Sequence, residues 1–334
     1  MLSINSSALQ RRANTALQNA THDPKKLVLL HTSVTLGSSL LVAVVNMLLS
    51  LQIADTGGLS GLGLRSILST IQSVLTFIVT VGLPFWQIGI IFAALRWSRE
   101  EEAGPKTLLR GFLQFRSVLG LYLLRALIFA LLGVLVFYIG SLIFMLTPLS
   151  EPIWDVFEPL VNGSMTSQEM EAYLTAERLN ATMKHLLPML GISVVLYAVI
   201  AIPLFYRLRF VEYALADGAS ATKALSISFR LTKKKCMGLF KLDLHFWWYY
   251  LVLVLLTVLN SGNDILSEAG VAMPFSTEVG TVVFYLAATA GQIAFCYRYQ
   301  ATISTTYAFA YQMYRGELSA DALHPTPIDA PQSN

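Results

Sequence analysis

Asp243 and His245 stand two residues apart in "KLDLHFWWYY", at the entrance to an apolar stretch. A carboxylate and an imidazole that close can relay a proton, and an arginine beside them can hold a phosphate headgroup. Three arginines border other apolar stretches: Arg125 ahead of one, Arg207 and Arg209 after another. Arg125, Arg207, Arg209, Asp243 and His245 therefore form the candidate polar cluster. A carboxylate entering a membrane interface is costly without a partner, so a contact between Asp243 and an arginine is expected on physical grounds alone. Two readings stay open: a lipid-headgroup or proton-relay site, and a structural ion pair anchoring the elements that carry these residues. For Arg125 a third is snorkelling of its stem toward the border.

No HExxH, GxSxG, phosphate-binding loop or paired-aspartate motif occurs, so no catalytic residue, metal or cofactor is assigned. The two cysteines, Cys236 and Cys296, lie in no CxxC or Cys/His cluster. Both fall near the side assigned below to the cytoplasm, where thiols stay reduced. His31 reads as a helix-to-helix hydrogen-bond donor before it reads as a ligand. Ser38, Ser39, Thr80 and Thr289 add uncharged oxygens that could meet an ion.

The elements that must position these groups are set by composition. Of 334 residues, 55% are hydrophobic and 13% charged, the latter about half the share of an ordinary soluble domain. The apolar residues fall in long uncharged runs, and about 20 such residues cross a bilayer as a helix. Six runs qualify: Leu27 to Leu51, Ile67 to Leu95, Ala126 to Leu146, Leu186 to Tyr206, Leu244 to Asn260 and Val279 to Tyr297. The polar start lacks a short apolar core with a cleavage site, so no cleaved signal peptide is expected.

Lysine and arginine are retained on the cytoplasmic side. Nineteen lie in the N-terminal segment, the connections 96–116 and 207–241, and the tail; Arg65, Arg178 and Lys184 are the three in the alternate connections. Both termini are therefore expected inside. Residues 1–26 read as a cytoplasmic segment, 27–316 as the membrane domain and 317–334 as a disordered cytoplasmic tail. The outer connections are acidic, which reads as the mere counterpart of basic residues inside before it reads as a cation-collecting vestibule. They hold two glycosylation patterns, at Asn162 and Asn180, and a capping box from Thr166 to Glu169 that predicts a short helix.

If residues 221–238 form one helix, Arg230, Lys233 and Lys234 share one side and Leu225, Phe229 and Cys236 the other. Arg230, Lys233, Lys234 and Lys235 are then candidate contacts to anionic lipid headgroups, and Trp247 to Tyr250 an aromatic belt. Those aromatics belong to a span, so a nucleic-acid strand is not an expected partner. Membrane lipids are; a protein partner or second copy stays open.

"PFWQIGIIFAALRW", "PLFYRLRFVEYALAD" and "AFCYRYQATISTTYAFAY" each join exit aromatics to a small-residue segment. The fold class is thus all-α: a polytopic bundle of six transmembrane helices with amphipathic cytoplasmic helices, arranged as three parallel hairpins whose helices continue into the cytoplasm. The alternative is that all inner membrane borders look alike.

"ATKALSISFRLTKKKCMGLFKLDLHFWW" resembles the bacterial membrane family known as domain of unknown function 975. The likeness runs through Ala224, Ser228, Lys233 to Lys235, Gly238, Leu239, Phe240, Leu242 to Leu244, Phe246 and Trp247. "AIPLFYRLRFVEYALAD", "SSALQRRANTAL" and "YRYQATISTTYAFAYQMYRGEL" resemble its other segments. His245 stands where the family pattern has serine, and Pro203 lacks the following glycine. The resemblance implies multi-pass insertion in a bacterial cytoplasmic membrane and no particular activity. Three function classes remain, in order: a non-catalytic envelope protein organising partners or lipids, a transporter or lipid-handling protein, and a membrane-embedded enzyme.

Overall fold

The computed structural model describes residues 5–55, 59–151, 176–260 and 277–316, and every regular element among them is helical. In chain order these are α1 (Ser6–Gln18), α2 (Pro24–Asp55), α3 (Leu59–Ser98), α4 (Pro105–Leu108), α5 (Arg110–Leu113) and α6 (Phe115–Met145). After a 3-10 turn at Pro148–Ser150 follow α7 (Ala176–Arg207), α8 (Val211–Ala216), α9 (Ala221–Thr232), α10 (Cys236–His245), α11 (Trp247–Asn260) and α12 (Thr277–Arg315). A helix closes its own backbone hydrogen bonds, which is what an uncharged stretch in hydrocarbon requires. Three helical runs, Ser69–Ser98, Phe115–Met145 and Leu186–Ala216, are long and apolar enough to cross a membrane. The bent pair α10 and α11 makes a fourth.

The chain divides into two compact units. In the first, which comprises residues 1–121 and 208–334, burial among the described residues is densest on two helices. Thr305 through Tyr314 of α12 are buried on every side, as are Ile88 through Leu95 of α3. A helix buried all round is a central strut. Around it, α1 turns inward Leu9, Ala13 and Ala16, with Arg12 over the Phe309 ring at 5.1 Å and Thr302 Oγ1 donating to Asn14 Oδ1 at 3.0 Å. On α9, Ala224, Leu225, Ser228 and Thr232 make the inward face. The uncharged stretches instead turn large apolar side chains outward, such as Phe77 on α3 and Val254 on α11.

In the second unit, residues 122–207, α6 and α7 pass in opposite directions, bringing Gly133 to Tyr197 and Gly140 to Ser193. The missing side chain of Gly140 admits the Ser193 hydroxyl.

Several expectations are corrected. Residues 221–238 are not one helix: α9 ends at Thr232, Lys234 takes a left-handed φ of 62°, and α10 starts at Cys236. Three successive lysines self-repel, and the exposed Lys233 and Lys234 have no packing to carry the helix on. The fifth span does not run straight from Leu244, since Leu244 and His245 end α10 and the axis then bends by 63° into α11. Of the three helices expected to run on past their apolar stretches, α12 continues to Arg315, whereas α3 ends at Ser98, three residues beyond Leu95, and α7 ends at Arg207, where a turn at Leu208–Phe210 leads into α8. That turn is stabilised from outside, where the Phe210 N–H donates to Ser228 Oγ at 3.2 Å. Pro84, Pro188 and Pro203 leave α3 and α7 unbroken. The helix expected after Thr166, the Asn162 pattern and the tail 317–334 lie outside the described residues.

Candidate functional site

Asp243 sits on the third turn of α10, whose Leu239, Leu242 and Phe246 are buried at spacings of three and four. The spacing turns its carboxylate to the edge of that packed face. There Asp243 Oδ1 accepts from Arg209 Nη2 at 3.2 Å and from the Tyr307 hydroxyl. Arg209 Nη2 also donates to the Tyr250 hydroxyl at 3.0 Å, and its guanidinium lies 4.4 Å over the Tyr307 ring. The Tyr250 and Tyr307 hydroxyls are 3.3 Å apart. Side-chain exposures of 17% for Asp243 and 21% for Arg209 leave little water at the pair. Burial, the largest cause, pushes the Tyr307 phenol well above its ordinary value; the Asp243 carboxylate adds to this and Arg209 opposes it.

The other members of the expected cluster have contacts of their own. The His245 Nε2 meets Gln10 Oε1 at 2.7 Å, tying α10 to α1, and its ring meets Phe246 edge-on at 5.0 Å. Arg125 lies on α6 in the second unit, 5.9 Å over the Phe205 ring, and Arg207 is the last residue of α7. Of the headgroup candidates, Arg230, Lys233 and Lys234 are exposed, whereas the Lys235 ammonium sits 4.7 Å over the Tyr314 ring. The Tyr314 hydroxyl donates to the Lys235 carbonyl at 3.4 Å, and burial raises its phenol above the usual value.

A second carboxylate centre escaped the sequence reading. Asp217 caps the C-terminus of α8 and accepts from Arg99 Nη2 at 2.7 Å, from Arg315 Nη1, and from the Tyr311 hydroxyl at 3.4 Å. All three charged residues stand at helix ends of one kind. The backbone turns left-handed just after each, at Glu100 (φ 59°), Gly218 (φ 91°) and Gly316 (φ 81°). The bonds Glu101 N–H to Arg96 O and Ala219 N–H to Ala214 O close the first two ends in the same way. The signal was legible, because Asp-Gly and Arg-Gly at the end of an apolar run are helix stops. Counting basic residues by membrane side absorbed Arg99 and Arg315, and Asp217 was not singled out.

His31 is 3% exposed and stacks on Trp86 at 6.1 Å, yet neither ring nitrogen has a hydrogen-bond partner among the described residues. The expected helix-to-helix bond is made the other way: Trp86 Nε1 donates to the His31 carbonyl at 3.0 Å. Close by in sequence, Thr32 Oγ1 donates to Gln300 Oε1 of α12 at 3.1 Å.

Fold and site together define a protein whose described residues are all-helical, with helices long and apolar enough to cross a membrane and two carboxylates neutralised by arginines of the same chain. No family model, curated protein or solved structure matches the chain.

Proposed function

We propose that this is a multi-pass protein of a bacterial cytoplasmic membrane, akin to the domain of unknown function 975, that organises partners or lipids without catalysis. Six spans in three hairpins, with both termini cytoplasmic, are part of this reading; the 19 to 3 partition of basic residues supports the orientation. The recurrent helix ends at Arg99, Asp217 and Arg315 support the repeat. One observation carries the functional part: Asp243 and Asp217 are each closed by arginine and tyrosine donors of the same chain. A carboxylate spent on internal partners stabilises a scaffold and is not poised to take a substrate proton.

A second reading, transport or lipid handling, draws on His31, a buried imidazole with both nitrogens unpartnered among the described residues. A ligand hydroxyl or water would satisfy it. Native mass spectrometry of the protein extracted in its own lipids, for wild type, Asp243→Asn and Arg125→Gln, separates the two. No retained molecule, together with unfolding of Asp243→Asn, supports the scaffold. A specific molecule retained by wild type and lost from a folded variant overturns it in favour of lipid handling or transport.

A further inference from the structure

α10 has two apolar faces. Leu239 and Leu242, with Phe246 just beyond, pack inward, while Met237, Phe240 and Leu244, with Trp247 just beyond, are 47% to 67% exposed at spacings of three and four. The outer row continues along α11 through Leu251, Val254, Leu255 and Val258, all 43% to 57% exposed. Lys233, Lys234 and Lys241 are exposed alongside it.

We infer that α10 is an in-plane helix resting its outer row in the cytoplasmic leaflet of a bilayer, with Lys233, Lys234 and Lys241 meeting anionic phosphates. The inference rests on the membrane reading above and commits to lipid as the occupant for two reasons. The first is angle. A ten-residue helix bent by 63° from α11 advances only about 7 Å along the α11 axis, which is the depth of an interfacial helix. The second is continuity and charge, since one apolar row runs from α10 onto a helix of the pair long and apolar enough to cross a membrane, with exposed lysines beside it where headgroup phosphates would be.

The test places nitroxide labels on the full chain, in a Cys236→Ala, Cys296→Ala background, at Met237→Cys, Leu244→Cys, Val254→Cys and Lys223→Cys. The protein is reconstituted in vesicles of phosphatidylcholine alone and of phosphatidylcholine with phosphatidylglycerol in equal parts. Labels at 237 and 244 are expected to be more accessible to oxygen than to a water-soluble nickel complex, at a depth between those at 254 and 223. Phosphatidylglycerol should shift them deeper, and Lys233→Gln, Lys234→Gln, Lys241→Gln together should abolish that shift. Labels at 237 and 244 that behave like 223 overturn the inference, as do labels shielded from both reagents and coupled between copies. A depth indifferent to phosphatidylglycerol overturns the anionic contact. If the label at 254 is also in water, the membrane reading itself has failed.

Discussion

Arg99 and Asp217, separated by more than a hundred positions, meet at 2.7 Å, and each terminates a helix. The electrostatics of the two ends differ. A helix C-terminus carries partial negative charge, so Arg99 after α3 and Arg315 at the end of α12 are favoured where they stand. Asp217, at the end of α8, is placed against the same field. The two guanidiniums that converge on it reverse that penalty, and the carboxylate in turn ties three helix ends of the first unit together.

The asymmetry gives a first prediction. Arg99→Gln with Arg315→Gln leaves a carboxylate only 16% exposed at a helix C-terminus with no cation, whereas Asp217→Asn leaves two arginines that can turn to water. The double arginine variant should lose about 2 kcal/mol or more, and Asp217→Asn about half as much. Thermal unfolding in detergent checks the order, and equal losses would show that the field of the helix plays no part.

Part of this was legible in the sequence. The cost of burying Asp243 was enough to demand an arginine, and Arg209 supplies it, while its tyrosine partners were hidden: Tyr250 read as interface belt and Tyr307 as one more aromatic in a small-residue segment. Uncharged length located the long helices, since backbone satisfaction in lipid depends on little else. What charge counting discarded was the position of each charge on its helix, which is why Arg99 and Arg315 were merely tallied and Asp217 went unremarked. The break at Lys233 to Lys235 was invisible because each lysine taken singly favours helices, whereas three in succession repel one another and Lys234 takes the left-handed region.

At the first centre the pair itself can be weighed. Asp243→Asn should lower stability by about 2–3 kcal/mol, because Arg209 keeps its charge in a largely dry site. Asp243→Leu combined with Arg209→Met should lose less than the sum of the two single changes. A double-mutant cycle on thermal unfolding reads the coupling, and strict additivity would mean that the two residues do not interact.

Alkaline pH probes two tyrosines of α12, Tyr307 at the Asp243 centre and Tyr314 against Lys235. Tyr307 and Tyr314 titrate above the ordinary phenol value because burial disfavours their charged forms. A raised value means that the fold holds the proton more tightly than the unfolded chain does. Their contribution to stability is therefore complete below pH about 10 and is lost as pH rises through the folded values. Phenolate absorbance should grow in two phases, exposed tyrosines first, and Tyr307→Phe should remove part of the late phase. One phase matching the denatured protein would refute the burial of these hydroxyls.

The last prediction concerns how α3 meets the short helices after it. A Cβ built on Gly89 falls under 3.0 Å from the Leu108 carbonyl, and one on Gly111 falls equally inside contact with the Phe85 carbonyl. The two glycines thus mark where α4 and α5 each press their backbone against α3, a contact that Phe85 extends by stacking on Phe112 at 5.5 Å and on Phe115 at 4.9 Å. Backbone atoms cannot swing aside as a side chain can, so Gly89→Ala and Gly111→Ala should each cost about 1–3 kcal/mol as overpacking. At Gly37, Gly82 and Gly191 a Cβ would meet nothing within 4 Å. There the same substitution should raise stability by about 0.5–1 kcal/mol through restricted unfolded-state freedom. Unfolding midpoints of the five alanine variants test the contrast. If Gly89→Ala and Gly82→Ala shift the midpoint in the same direction by the same amount, the main chains do not approach as closely as Gly89 and Gly111 require.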